Sequence, residues 1–239
     1  MRKYANIAPK TYPFLVIILA VMLWHIGVKL SQVPVWILPG PVQVLQAMIS
    51  HAALLWHHTQ ITLTEALLGF ALSVALALVL ALLLHYLNWL CQALYPLFIV
   101  SQTIPLIVLA VLLPLWFGWG MFPKILIIIL VCFFSMVINL FNGLKAVDPD
   151  ILNLFRSMGA KPLATFRLVI MPYALPSFFA GLRISATYSI MAAVIGEWLG
   201  AQRGLGYYMT LQQKSFAVDR VLAVVVIICI LSLLLVKAV

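Results

Sequence analysis

The chain has 239 residues, 66% of them hydrophobic and 8% charged, where an ordinary soluble domain has about 45–50% and 25%. That composition excludes a soluble globule; at about 20 residues per crossing, the length allows no more than about ten spans, in a single membrane domain covering residues 1–239. Fourteen Lys and Arg against five Asp and Glu give a formal charge of +9, but these basic residues are scattered between apolar runs, a pattern that faces anionic lipid headgroups and not nucleic acid.

Six apolar segments follow in chain order, at about residues 12–28, 62–84, 90–115, 124–144, 175–199 and 221–236. Arg2, Lys3 and Lys10 precede the first as they would in a signal peptide, but no small-residue cleavage site follows, so a retained helix with a cytoplasmic basic flank is expected. An even number of spans returns both termini to that side. Arg2, Lys3, Lys10, Lys145, Arg156, Lys161, Arg167 and Lys237 are then cytoplasmic, with Arg183 near that interface, and Lys29, Lys124, Arg203, Lys214 and Arg220 are outside, in keeping with the positive-inside rule.

Between the first two spans, Pro34, Pro39, Gly40 and Pro41 break any helix; a weakly amphipathic stretch at residues 42–56 should lie along the outer interface with Trp36 and Trp56 as anchors. Pro105 and Pro114 interrupt the third span, and Trp116 and Trp119 mark an interfacial loop after it. Cys91, Cys132 and Cys229 stand far apart in apolar runs and are expected to be buried, inert thiols.

Residues 145–172 form the longest polar stretch. Asp148-Pro149-Asp150 is a helix start, with an Asp cap, proline at the first helical position and an acid near the positive end of the dipole. A short helix over 150–158 ends at Gly159, and Pro162 opens a second over 162–168 before Pro172 and Pro176 bracket the return to the membrane. The hairpin sets Arg156, Lys161 and Arg167 beside Leu154, Phe155, Leu163, Phe166 and Val169. Such a mixture suits docking into a groove on a soluble partner, although composition alone favours a solvated loop that holds membrane orientation.

Within this stretch, Asn153-Leu154-Phe155-Arg156-Ser157-Met158-Gly159, nine residues, and Val169-Ile170-Met171-Pro172 resemble the cytoplasmic signature of binding-protein-dependent ABC importer permeases: Glu-Ala-Ala, three residues, Gly, nine residues, Ile-x-Leu-Pro. Asn153, Leu154 and Phe155 replace the acid and both alanines, so a salt bridge through that acid is absent. Pro39-Gly40-Pro41, Thr62-Leu63, Gly69-Phe70, Gly181-Leu182-Arg183, Gly196-Glu197-Trp198-Leu199-Gly200 and Gly204-Leu205-Gly206-Tyr207 are similar to the nitrate, sulfonate and taurine branch. The later part of that run, through residues 213–220, looks most like permeases for hydroxymethylpyrimidine, the pyrimidine precursor of thiamine.

The resemblance implies an all-α membrane protein of about six spans with a cytoplasmic coupling hairpin, as in type I importer permeases, in the bacterial cytoplasmic (inner) membrane. It implies two copies forming a translocation path, two ATPase subunits that bind ATP and Mg, and a periplasmic or extracellular solute-binding protein. This chain itself would carry no cofactor. The residues carried over to ATPase coupling are Arg156, Ser157, Met158, Gly159, Ala160, Lys161, Pro162, Leu163 and Phe166.

Glu197, with Trp198, is the candidate gate or partner contact, either as a costly intramembrane acid or as an interfacial one meeting water. Glu65 and Arg183 could pair within the membrane or snorkel apart. His51, His57 and His58 have no carboxylate or cysteine beside them and are expected to be interfacial histidines, not metal ligands; Gly204-Leu205-Gly206 lacks the Gly-Lys-Ser/Thr end of a phosphate loop. No catalytic set is present, so a transport subunit and not an enzyme is expected. A self-sufficient channel or ion-coupled carrier is the alternative, supported by Glu197 and the Pro105 break.

Overall fold

The computed structural model describes residues 8–31 and 33–239. Arg2 and Lys3 lie outside the described residues. All regular structure among those described is helical.

Two compact units emerge. The first takes the described residues through Trp56 together with Tyr208–Ile227; the second takes His57–Tyr207 and Ile228–Val239. In the first, α1 (Ala8–Ser31) precedes α2 (Pro41–Ser50), which starts where Pro41 needs no N–H donor partner. Val44 and Ala47 of α2 pack on Ala223 with Trp24, Met48, Leu222 and Val226 around them. Phe14, Val16 and Leu23 of α1 are largely exposed, as suits a helix whose solvent is lipid.

The second unit holds most of α3 (Ala52–Tyr86), then α4 (Asn88–Ser101), α5 (Leu106–Phe117), α6 (Met121–Lys145), α7 (Pro149–Ser157), α8 (Pro162–Thr165) and α9 (Met171–Trp198). α10 (Leu205–Lys214) begins in it, and α11 (Val218–Ala238) ends in it. Among the described residues, five helical stretches are long and apolar enough to cross a membrane, and the pair α4 and α5 makes a sixth if counted together.

Three expectations are corrected. The third apolar segment is not one continuous helix: α4 and α5 meet at 103°, because residues 102–105 end in a proline that has no N–H and forces the residue before it out of helix. Pro114, by contrast, sits inside α5 without ending it. The second span starts at Ala52, ten residues earlier than hydropathy places it, so part of the stretch expected along the interface belongs to α3. Its 35 residues rise about 52 Å, well beyond a hydrocarbon core of about 30 Å. Third, the return after the hairpin has no break at Pro172 or Pro176. α8 passes through a π-helical turn, Phe166–Ile170, straight into α9. Pro172 falls in the first turn of α9, beside the wider π turn, and Pro176 is carried inside α9 without ending it.

Helices α6 and α9 form the spine, antiparallel and in one register. A Cβ on Gly143 would stand 2.6 Å from Cβ of Ser177, and one on Gly181 would stand 2.9 Å from Cβ of Asn139. Between these and the far end, Ser185 Oγ donates to the Cys132 carbonyl (3.0 Å), and Cys132 Sγ donates to the Ser185 carbonyl (3.3 Å). Small residues let backbones approach where lipid supplies no hydrophobic drive, and van der Waals contact then holds the pair. α3 lies on α6 in parallel, with Gly69 against Ile128 and Ser73 Oγ 3.5 Å from the Ile129 carbonyl. Of the three cysteines only Cys132 is fully buried; Cys91 is half-buried and Cys229 exposed, because the outer face of a lipid-facing helix needs no cover.

Candidate functional site

The spine has two chemically distinctive ends. At one, α6 gives way to the hairpin. Asp148 Oδ1 accepts from the Asp150 amide (2.9 Å), capping α7, with Pro149 at its first turn. Gly159 terminates it at φ +76°, where an L side chain is strained, and the Ala160 amide returns to the Phe155 carbonyl (3.0 Å). No residue of α7 is buried. Leu154, Met158 and Leu163 are 57%, 73% and 62% exposed, and Arg156, Ser157, Lys161 and Pro162 are exposed among them. Ala160 is half-buried, and Phe166 turns back to pack on His85 and Tyr86. The hairpin thus presents a compact apolar and basic tip.

At the other end, α9 stops at Trp198 and the chain turns through Gly200 and Gly204, both at positive φ, into α10. The first amides of a helix have no partner within it. Here the side chains of two other helices supply them. Glu197 Oε2 accepts from the Gly206 amide (2.7 Å), Thr62 Oγ1 accepts from the Leu205 amide (2.8 Å), and His58 Nδ1 accepts from the Gly204 amide (3.0 Å). Thr62 Oγ1 donates to Glu197 Oε1 at 2.7 Å, which joins the pieces into one network. A carboxylate at the positive end of a helix dipole is favourable and needs no counter-cation for that oxygen. One helical turn beyond Thr62, Glu65 forms an ion pair with Lys124 of α6.

Glu197 and Thr62 are wholly inaccessible and Glu65 is 3% exposed. The Glu197 carboxylate therefore does not meet water within this chain, although it lies one residue from the end of α9; it caps α10, and Trp198 beside it is 38% exposed. Glu65 pairs with Lys124 and not with Arg183, which is exposed. Lys124, in the first turn of α6, is held in that pair with its side chain 12% exposed. Beside the network lies a cavity of about 410 Å³ lined by Glu65, Trp119, Lys124, Gly200 and Arg203, among others.

The glycines follow from this geometry. A Cβ on Gly204 would overlap the Glu197 carboxylate, and one on Gly206 would overlap the Val194 carbonyl oxygen. Gly204-Leu205-Gly206 is thus a close-approach turn around a buried acid. Sequence reasoning missed Thr62, His58 and Lys124 as members of this joint. The signal in the sequence is weak: His58, Thr62 and Glu65 stand at i, i+4 and i+7 on one helix face, but His57, Thr59, Gln60 and Thr64 place polar residues on the other faces as well and hide the stripe.

Long apolar helices, a broken span and a protruding hairpin define a multi-pass membrane protein. The same fold occurs in a solved amino acid ABC transporter crystallised with histidines, at TM-score 0.68 and 18% identity over 81% of this chain and 94% of that one. The chain belongs to the family of binding-protein-dependent transport system inner membrane components, which matches residues 73–238. It is 37% identical to a probable ABC transporter permease protein of Haemophilus influenzae over 92% of this chain and 90% of that protein. To the formylaminopyrimidine transport permease protein ThiX of Halalkalibacterium halodurans it is 35% identical, over 93% and 89%. The taurine transport system permease protein TauC of Escherichia coli is 30% identical over 91% and 82%.

Proposed function

We propose that this chain, acting over residues 1–239 as one permease domain, carries a small aminopyrimidine related to thiamine precursors across the bacterial cytoplasmic membrane. It works as a pair, with two ATPase subunits at the hairpin end and a solute-binding protein at the opposite end. Both termini and the hairpin then face the cytoplasm, and the Glu197 joint faces outward. ATP and Mg belong to the ATPases.

The observation that carries this reading is the hairpin tip. Leu154, Met158 and Leu163 expose large apolar surface away from any lipid-length helix, with Arg156 and Lys161 around it. Apolar anchors rimmed by charge are how a helix end seats in a groove on a soluble partner. Closure of the ATPases on ATP moves the hairpins only if they contact the two nucleotide states differently. The similarity to ThiX supports the aminopyrimidine; the similarity to TauC supports a taurine or sulfonate permease of the same type as the second reading.

Native mass spectrometry of the complex extracted gently from its own host tests the assembly. Two copies of this 26.6 kDa chain with two copies of a soluble ATPase are expected. A homo-oligomer without ATPase, retained under gentle extraction, would overturn the importer assignment in favour of a channel or carrier.

A further inference from the structure

The elbow between α4 and α5 roofs a second cavity, of about 450 Å³, on the face made by α6 and α9. Its walls come from residues 101–109, 130–135 and 184–191. Residue 133 is the midpoint of α6, and 184–185 the midpoint of α9. The cavity therefore lies about halfway along the spine, at the depth where hydrocarbon is the surrounding solvent.

At that depth an unsatisfied polar group is expensive, and one that persists marks a pathway or a site. Gln102 and Tyr188 line the cavity and are exposed on its open face, and neither side chain has a hydrogen-bond partner among the described residues; the half-buried Ser135 hydroxyl has none there either. Ser101, which also lines it, donates to the Phe98 carbonyl (2.8 Å); the rest of the lining is apolar, with Leu106, Phe134 and Ile184 prominent, and no Asp, Glu, Lys, Arg or His takes part. The broken helix adds free backbone groups of its own at the start of α5, whose first turn has no side-chain cap. Discontinuous helices at mid-depth are a recurrent way to expose such groups to a solute.

We propose that this cavity is a mid-membrane binding site for an uncharged, planar nitrogen heterocycle, held edge-on by the Gln102 amide and the Tyr188 and Ser135 hydroxyls. The carboxamide offers a donor and an acceptor side by side, which matches the amino group and ring nitrogen along one edge of an aminopyrimidine. Phe134 and Tyr188 supply aromatic faces for the ring. A sulfonate would enter a site with no cation to receive it, so the lining selects against anionic solutes. This proposal rests on the permease reading above and narrows its solute class at a named place.

The test uses the whole transporter, with its ATPase and binding protein, in proteoliposomes, measuring uptake of radiolabelled 4-amino-5-hydroxymethyl-2-methylpyrimidine and ATP hydrolysis side by side. Gln102→Leu and Tyr188→Leu should each lower uptake about tenfold or more, the loss expected when one or two hydrogen bonds to a buried ligand are removed. Binding-protein-stimulated ATP hydrolysis should stay within about twofold of wild type, showing that the variants fold and assemble. Tyr188→Phe, which keeps the ring, should fall between. Uptake unchanged in both leucine variants would overturn the site. Wild-type uptake of taurine but not of the pyrimidine, with ATPase coupling intact, would overturn the ligand class and leave the permease reading standing. Absence of any associated ATPase would instead be the failure of that reading.

Discussion

Thr62→Val is the sharpest perturbation of the Glu197 joint, because valine keeps the shape and removes only the hydroxyl. That hydroxyl accepts from the Leu205 amide at 2.8 Å and donates to Glu197 Oε1 at 2.7 Å, with the His58 carbonyl of its own helix a longer third contact at 3.2 Å. Thr62, Leu205 and Glu197 are all inaccessible, so water cannot replace it. Stranding a buried amide costs about 1–3 kcal/mol, and losing a hydrogen bond to a charged group about 1.5–3 kcal/mol. The expected loss is about 3–5 kcal/mol. The control lies two residues away: Thr64 is exposed and donates only to the Gln60 carbonyl of its own helix (2.7 Å), so Thr64→Val should stay within about 0.5 kcal/mol. Thermal unfolding in detergent can be followed with a thiol-reactive dye, since Cys132 is fully buried until the spine opens while Cys229 gives a constant background. A Thr62→Val midpoint no lower than that of Thr64→Val would refute the claim that the network holds α10 to α3 and α9.

Gly206→Ala should lower the same midpoint by at least as much, because its Cβ would meet the Val194 carbonyl oxygen, a backbone atom that cannot step aside; an unchanged midpoint would show that the turn has slack. Glu65→Met and Lys124→Met should each cost about 3–5 kcal/mol by leaving one buried charge unpaired, while the double variant recovers most of that loss in a mutant cycle. At the other end, Gly159→Asp should assemble normally, since its side chain meets open space and Asp tolerates a positive φ, yet should lower transport-coupled ATP hydrolysis in reconstituted complexes. Full coupling in that variant would remove Gly159 from the contact. Asp148→Ala should fray α7 by about 1 kcal/mol, seen as faster amide exchange over residues 149–157.

The hairpin was legible in the sequence because its signals are local. Asp148, Pro149 and Gly159 dictate where α7 begins and ends through capping and φ alone, and the structure puts the boundaries within a residue of that reading. The spans were legible from hydropathy, but not their ends: nothing in apolar composition separates the residues of α3 inside the bilayer from those beyond it, and only packing extended the helix back to Ala52. Pro105 announced an interruption, whereas the 103° angle depends on where α5 finds a surface on α6. The Glu197 joint was the least legible part. Hydropathy treats an acid near a helix end as interfacial, and the partners that bury it, Thr62 and Gly206, are 135 residues and nine residues away. A chain contact across that separation leaves no periodicity to read.

The two ends of the spine are linked by the way its helices fit. Gly143 against Ser177, Gly181 against Asn139, and the reciprocal Cys132 and Ser185 bonds fix α6 on α9 at successive levels of the membrane. Sliding one helix by a residue would drive the Ser177 and Asn139 Cβ atoms into backbone, so the pair is stiff against shear. It is also continuous: α6 enters the hairpin at Lys145, and the π turn lets α8 run into α9 without a hinge at Pro172 or Pro176. A displacement imposed on α7 therefore has no flexible joint in which to dissipate within these two helices. The weak points lie at the margins: the elbow at residues 102–105, where the ladder is interrupted, and the glycine turn at 200–204, which the Glu197 network closes. Motion of a rigid pair must be taken up at those places, and the elbow is where unpaired polar groups face a mid-depth cavity. Stiffness in the spine and give at the elbow are what a permease needs if a push at the hairpin is to change what the cavity exposes.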